Sequence, residues 1–251
     1  MWRYLVAKAS SAEQLRLLDL QALDSRMRQL DSRARSVREN PDLQALATKA
    51  AAARSALGAA ATQSADIERE LARAEADVAS VTARLERDQK HLDSGSGGSK
   101  ELTALQSEIE SLSRRRSDLE DTELEVMERL ESVRGIEAER RAEAASAETE
   151  LAELEAKRDA ELAEIEAERA ETQRQRTELA GRFAPDLLAI YERTLARHGI
   201  GAARLFHGTS EGSGMQLSPG DLADIRKAAE DDIVFCPDSG CILVRSSEWG
   251  S

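Results

Sequence analysis

The sequence predicts a mostly α-helical protein, a long antiparallel coiled-coil hairpin followed by a small C-terminal α+β module. Three observations indicate this fold. The composition is rich in Ala, Glu, Arg and Leu, whereas 3% of residues are aromatic and 33% are charged, which is typical of long helices. Apolar residues recur at alternating spacings of three and four over two long segments. One Gly- and Ser-rich stretch separates those segments.

The first predicted helix covers residues 10–38, and its apolar residues recur with the spacing of one helical face. These residues are Leu15, Leu18, Leu23, Met27, Leu30 and Val37. Asn40-Pro41 then interrupts the helix. Proline lacks the backbone donor but fits the first turn of a new helix, with Asn40 as its cap. We therefore expect a helix break near residue 40.

The second predicted helix covers residues 41–92 and settles into a heptad repeat with Leu57, Ile67, Leu71, Val78 and Leu85 among its core positions. Residues 93–99, Asp-Ser-Gly-Ser-Gly-Gly-Ser, cannot continue it. A short connector between two long helices makes them antiparallel neighbours. The stretch is therefore predicted to be the hairpin tip.

The returning helix is predicted to begin near Lys100 and to fade near residues 179–181. Leu105, Leu112, Leu119, Val126 and Val133 form one of its two apolar tracks. Charged residues also occupy core positions, and Glu137 and Arg140 are expected to mark a looser part of the seam. The first helix must pair with the last part of this helix, because the second helix is too short to cover it. The predicted hairpin domain is residues 1–182.

Residues 183–251 are predicted to form the second domain. A connecting helix covers residues 186–198, and a helix capped at Ser218 extends through residue 229. Short β-rich runs lie at residues 203–207, 233–235 and 242–245. Without a metal, this small module must be held by its apolar residues and by packing against Tyr191 and Leu195.

Two Gly-containing turns in this domain have the spacing of zinc-binding knuckles. Residues 210–213 read Ser-Glu-Gly-Ser and residues 236–240 read Cys-Pro-Asp-Ser-Gly. Each places small polar or thiol residues at positions i and i+3, the spacing by which Cys-x-x-Cys offers two sulfurs to zinc. Zinc binds thiolates strongly and neutral alcohols poorly. The sequence thus has the outline of a zinc ribbon without its ligands.

This outline resembles the bacterial family of coiled-coil hairpins that end in a four-cysteine zinc ribbon. The stretches GMQLSPGDLADIRKAAEDDIVFCPDSG and ILVR are similar to the ribbon, and GGSKELTALQSEIESLSRRRSDLEDTELEVMERLE is similar to the tip and returning helix. The resemblance implies ligand positions at Ser210, Ser213, Cys236 and Ser239, so the chain is identified as a degenerate member. It also implies nucleic-acid binding or association with transcription, as members of the family are described.

Other residues near the two turns are chemically acceptable zinc ligands: His207, Cys236, Asp238 and Cys241. Cys241 has no matching partner in the first turn, and Asp238 also suits a turn. We therefore expect no cofactor and no bound zinc, with this second ligand set as the alternative. Cys236 and Cys241 could also bridge, but two reduced thiols in a reducing cytoplasm are the favoured interpretation.

The charge and the apolar pattern narrow the classes of partner. The net charge is −13, and residues 199–251 carry four basic against eight acidic residues, a net of −4. This balance argues against nonspecific coating of nucleic acid, which needs Lys and Arg. Since no stretch approaches the ~18 consecutive apolar residues of a membrane span, and the N-terminus lacks the apolar segment of a signal peptide, we expect a cytoplasmic protein without membrane contact.

The three histidines, His91, His198 and His207, do not lie in a recognisable catalytic pattern, so the sequence predicts no enzyme. The leading hypothesis is an intracellular adaptor that binds a protein partner, in transcription or RNA metabolism as the resemblance implies. Exposed contact candidates are Lys100, Glu101 and Leu102 at the tip, and Met215, Leu217, Arg226 and Lys227 in the ribbon. The alternatives are direct nucleic-acid binding through the ribbon and a purely structural coiled-coil spacer.

Overall fold

The computed structural model describes residues 8–245 of the chain. Within this range the backbone forms two compact units, one that joins the residues up to Glu39 with those from Arg158 onward, and another of Asn40–Lys157. The longest helix, Ser99–Ala180, contributes to both units. These units are defined by contacts within the fold, whereas the domain boundary predicted at residue 182 was defined by the sequence pattern. That boundary stays a prediction.

The unit of residues 40–157 is a helical hairpin, as predicted. Helix α2 spans Pro41–Asp93 and helix α3 spans Ser99–Ala180. The side chain of Asn40 caps α2 by accepting a hydrogen bond from the Asp42 backbone N–H at 2.9 Å, with Pro41 in the first turn. Residues 94–98 connect the two helices, and Gly95 and Gly97 adopt positive φ there.

Heptad positions form the seam of this hairpin. Ile67 packs with Val126, Leu130 and Val133, and Leu71 lies against the cluster. The other buried seam positions are mostly small: Ala50, Ala60, Ser64, Ala144 and Ala147. Ion pairs such as Glu70–Arg129 at 3.1 Å and Lys49–Glu150 at 2.8 Å link the helices in antiparallel order. Small seam residues bury little apolar area, so each turn of the seam contributes modestly to stability.

The helical part of the other unit pairs α1, Ser11–Arg38, with residues 158–180 of α3. Ser10 and Glu13 form a capping box at the start of α1. Leu30 and Ala34 bury Ile165 between the two helices, with Val37 and Leu162 partly buried beside them. The prediction that the first helix pairs with the last part of the long helix is confirmed. Helix α4 then covers Pro185–His198.

A five-stranded sheet with one helix completes this unit. The strands are β1 (Ala202–Phe206), β2 (Thr209–Ser210), β3 (Met215–Gln216), β4 (Val234–Phe235) and β5 (Ile242–Arg245), and α5 covers Pro219–Lys227. Their order in the sheet is β3-β2-β1-β5-β4, with β1 and β5 parallel and the other pairs antiparallel. Strands β2 and β3 were not predicted. Strand β1 ends at Phe206 because His207 and Gly208, both at positive φ, turn the chain back into β2.

The sheet is covered on both faces because the side chains of its central strands alternate. Ala202, Ile242 and Val244 face a core formed with α1 and α4, which includes Leu17, Leu20, Leu187 and Tyr191. The intervening residues Ala203, Leu205, Cys241 and Leu243 face a second core with Leu217, Ile225 and Cys236. The central strands are therefore buried on both faces, and the exposed positions of the sheet lie on its edges.

Candidate functional site

The residues at the implied zinc-ligand positions lie at the ends of β2 and β4. Ser210 is completely buried, and Cys236 is 2% exposed. The turn after Cys236 is closed by two backbone hydrogen bonds, from Gly240 N–H to the Cys236 carbonyl at 3.0 Å and from Cys236 N–H to the Cys241 carbonyl at 2.8 Å. Gly240 adopts a φ of 70° in this turn. The Cys-Pro-Asp-Ser-Gly segment thus retains a tight knuckle geometry.

Three of the four positions, Ser210, Cys236 and Ser239, are close together in the structure. Ser239 donates its hydroxyl to the Cys241 sulfur at 3.1 Å and its backbone N–H to the Cys236 sulfur at 3.5 Å. Ser210 faces Cys236 but makes no full hydrogen bond through Oγ. Ser213 instead accepts a hydrogen bond from the Met215 N–H at 3.3 Å within its own turn.

The two cysteine thiols have opposite electrostatic environments. Burial would raise the pKa of Cys236, but the hydroxyl groups of Ser210 and Ser239 and the backbone amides of Ser239 and Asp238 outweigh burial and lower it. At Cys241, burial has the largest effect and raises the pKa of the thiol, and the neighbouring Cys236 raises it further. Cys236 is therefore the more readily ionised member of the pair.

The donor set does not fit a structural zinc ion. Such a site needs four ligands that are thiolate, imidazole or carboxylate, and only Cys236 supplies one at the four implied positions. The alternative set does not assemble either: residues 8–245 contain no group of three or more His, Cys, Asp or Glu side chains that could hold a metal ion. His207 instead packs edge-on against Phe206, with ring centroids 4.1 Å apart. The module must be held by its apolar cores.

Tyr191 links the sheet to the helices within the same unit. Its ring is fully buried, and its hydroxyl donates to Asp24 Oδ2 at 2.7 Å. Arg176 donates to the other oxygen of Asp24 at 2.9 Å. The Gln21 side-chain oxygen accepts from the Gly201 N–H at 2.6 Å. Burial, with the hydrogen bond to Asp24, raises the pKa of Tyr191 above its ordinary value.

The predicted contact residues have different exposures. Met215 on edge strand β3 is 57% exposed, and Arg226 and Lys227 are exposed at the end of α5, where Lys227 pairs with Asp224 at 2.8 Å. Leu217 was expected to be exposed, and that expectation is wrong: it is 4% exposed. The bond from its N–H to the Gly208 carbonyl at 2.9 Å holds this segment against the sheet, and its side chain lies in the second core.

The tip candidates lie at the start of α3. Lys100 and Glu101 are exposed, and Leu102 is half-buried. Sequence reasoning missed Phe235, which is 47% exposed on the other edge strand, β4. Its neighbours Val234 and Cys236 point away from it because strand side chains alternate. Because β4 has two residues, the sequence shows no alternating pattern that would have identified Phe235 as outward-facing.

Two family matches cover most of the chain. Residues 20–199 match the CT398-like coiled coil hairpin domain, and residues 209–243 match the C4-type zinc ribbon domain. An uncharacterized protein of Mycobacterium tuberculosis is 35% identical over 238 residues, which are 95% of this chain and 97% of that protein. An uncharacterized protein of Mycobacterium leprae is 28% identical over 181 residues, 70% of this chain and 76% of that protein.

Solved structures show the same fold. One from Mycobacterium smegmatis has a TM-score of 0.82 at 32% identity and covers 95% of this chain and 100% of that chain. CT398 from Chlamydia trachomatis has a TM-score of 0.61 at 18% identity and covers 93% of this chain and 97% of its own. With the hairpin, the ribbon topology and these matches together, the chain belongs to the CT398-like coiled-coil hairpin family, as a member with a degenerate C-terminal zinc ribbon that contains two cysteines.

Proposed function

We propose that this protein is a non-enzymatic adaptor that binds a protein partner through the edges of its ribbon sheet, in transcription or RNA metabolism. Membership of a coiled-coil hairpin and zinc ribbon family fits either an adaptor or a nucleic-acid binder. The structure describes no helix with the length and apolarity needed to cross a membrane.

The observation that carries the protein-binding proposal is the exposure of one large apolar residue on each edge strand. Met215 and Phe235 are 57% and 47% exposed, although both faces of the central sheet are covered. An edge strand also presents unpaired backbone groups, to which an extended partner segment can add as a further strand. A partner that buried these side chains would gain apolar contact at the same place.

The alternative of direct nucleic-acid binding through the ribbon has weaker support. Arg226 and Lys227 are exposed, but Asp224 pairs with Lys227. Residues 199–251 have a net charge of −4, and phosphate neutralisation needs an excess of basic residues. A purely structural spacer, the third candidate, would use the hairpin but would not require exposed apolar residues on the ribbon edges.

A pull-down from native lysate, divided into nuclease-treated and untreated halves, separates these functions. The bait is compared with a Met215→Ser/Phe235→Ser double variant. A Leu124→Ser variant is the control, because Leu124 is also 57% exposed but lies on α3 in the hairpin unit. We expect specific proteins that survive nuclease, are depleted about tenfold by the double variant and are kept by the control.

Two other results would contradict the proposal. Proteins that disappear on nuclease treatment, with RNA or DNA recovered in the untreated half, would support nucleic-acid binding instead. Equal recovery by the wild-type and double-variant baits would exclude the sheet edges as the binding surface. Circular dichroism of each variant checks that loss of binding does not come from unfolding.

A further inference from the structure

We propose that Cys236 and Cys241 are an oxidation site, at which a hydroperoxide converts the two thiols into an intrachain disulfide. Both cysteines are free in the structure. They lie in the same core, within the residues that match the zinc ribbon domain.

The register of the sheet sets the two cysteines opposite each other. Strands β4 and β5 are antiparallel, with Val234 opposite Leu243 and Phe235 opposite Ile242. One step further along this register, Cys236 faces Cys241, and its N–H donates to the Cys241 carbonyl at 2.8 Å. Residues directly opposite in an antiparallel pair have Cα atoms about 4.5–5.5 Å apart, which lies within the range of about 4.4–6.8 Å found across disulfides.

The side chains also share one environment. Cross-strand partners point to the same face of a sheet, and both cysteine side chains belong to the core that contains Leu205 and Leu243. Ser239 touches both sulfurs, with Oγ 3.1 Å from Cys241 Sγ and its backbone nitrogen 3.5 Å from Cys236 Sγ. The bond can therefore form by local rearrangement of one turn, without moving an element of the fold.

The two thiols have different roles in the reaction. The backbone N–H of Ser239 donates to Cys236 Sγ at 3.5 Å, a contact that favours a thiolate, so we assign the attack on a peroxide oxygen to Cys236. The O–O bond breaks, Cys236 becomes a sulfenic acid, and with hydrogen peroxide the leaving oxygen departs as water. The Cys241 sulfur then attacks the Cys236 sulfur, the S–S bond forms, the S–O bond breaks, and a second water carries away the Cys241 proton.

The electrons balance between the protein and the oxidant. Two thiols together lose two electrons and two protons, and one hydrogen peroxide gains them to form two waters. Cys241 is completely buried and acts only in the second step. The product crosslinks the two ends of a single turn.

The test uses the reduced full-length protein and increasing hydrogen peroxide, followed by denaturation, alkylation with iodoacetamide and mass spectrometry. We expect both alkylatable thiols to disappear together. The peptide that contains Cys236 and Cys241 should lose the mass of two hydrogen atoms, and dithiothreitol should restore both thiols. The protein should remain a monomer on a non-reducing gel.

Two variants separate the roles of the cysteines. In Cys241→Ser, Cys236 should still react and should be trapped as a sulfenic acid by dimedone. In Cys236→Ser, oxidation of Cys241 should be at least about tenfold slower.

Three results would overturn the proposal. One is that both thiols remain alkylatable at peroxide concentrations that oxidise free cysteine. Another is that Cys236 gains two or three oxygen atoms while Cys241 stays reduced. The third is that disulfides form only between chains.

Discussion

Tyr191 shows how one side chain joins the sheet to the helices in the unit that contains the ribbon. Its ring lies in the core between α1, α4 and the sheet, and its hydroxyl donates to Asp24 on α1. Gly201 is required beside it, because a Cβ at that position would collide with the Tyr191 ring. This packing adds stability to a module of a size that commonly needs a metal or a disulfide.

Truncation of Tyr191 should loosen the ribbon. We expect Tyr191→Ala to cost about 3–5 kcal/mol, as a large aromatic side chain leaves a cavity. Tyr191→Phe should cost about 1.5–3 kcal/mol, because it removes a hydrogen bond to a charged carboxylate. Hydrogen exchange of the backbone amides of β5 measures this local stability. Unchanged protection in Tyr191→Ala would show that the ribbon does not depend on this contact.

Tyr191 also predicts how the free energy of unfolding depends on pH in alkaline solution. The folded protein holds the pKa of Tyr191 above its ordinary value of 10.0. Below pH 10.0 the tyrosine is protonated in the folded and the unfolded protein, and its contribution to stability is fully present. Above it only the unfolded state loses the proton, so the free energy of unfolding falls as pH rises, by at most about 1.4 kcal/mol per pH unit.

Urea unfolding of the wild type and Tyr191→Phe between pH 9 and pH 11 isolates this contribution, since the other titrating groups are common to both proteins. The stability difference between them should shrink as pH rises. A difference that stays constant over this range would contradict the assignment.

Residue-level predictions from sequence succeeded where the pattern was periodic. The seam residues Ile67, Val126 and Val133 were identified from heptad spacing, and they are buried as predicted. Periodic spacing could not predict that Leu217 is buried. Its segment is held by a hydrogen bond to Gly208, nine positions earlier in the chain and across a turn. Phe235 was missed because a two-residue strand is too short to show an alternating pattern.

At the scale of elements, caps and breakers determine where the helices begin and end. Asn40 and Pro41 start α2, and Ser218 starts α5 through its hydrogen bond from the Asp221 N–H at 3.1 Å. These signals are local in sequence, so the helix bounds were predictable to within a residue or two. Strands β2 and β3 exist only because they pair with β1 and with each other, and no local signal specifies that pairing.

A pair of glycine substitutions tests the elements directly. Gly135 lies within α3, and a Cβ there would meet nothing within 4 Å. Gly135→Ala should therefore stabilise the hairpin by about 0.5–1 kcal/mol, because alanine has the higher helix propensity. Gly201→Ala should destabilise the ribbon, because its Cβ would collide with the Tyr191 ring.

Thermal unfolding followed by circular dichroism, with hydrogen exchange to locate each change, distinguishes the two effects. A Gly201→Ala protein as stable as the wild type would contradict the packing described around Gly201, and a Gly135→Ala protein that is not stabilised would contradict the prediction for α3.

At the scale of the whole molecule, the chain combines two units with different kinds of stability. The hairpin of residues 40–157 depends on helix propensity and a seam of mostly small residues, with ion pairs alongside. The ribbon unit depends on two apolar cores on either side of a five-stranded sheet. Composition predicts the first unit because its signal repeats in every heptad, but it says little about the second, whose sheet is assembled from short and distant strands.

The function could be predicted only to the level of an adaptor or a nucleic-acid binder. The spacing of the knuckles indicated the ribbon, and the residues at its implied ligand positions predict that it binds no zinc. Binding surfaces carry no comparable repeat. Met215 and Phe235 become candidates as a pair only once the strand order places β3 and β4 at the two edges of the sheet.

The most direct test of the central claim, a zinc ribbon fold held without zinc, is the metal content of the protein together with its thermal unfolding. Protein purified without chelator should contain no stoichiometric zinc by elemental analysis, and its unfolding temperature should be the same with and without EDTA, because the donor set lacks the required thiolates. One zinc per chain that is lost in Cys236→Ala, with a lower unfolding temperature in EDTA, would contradict the account.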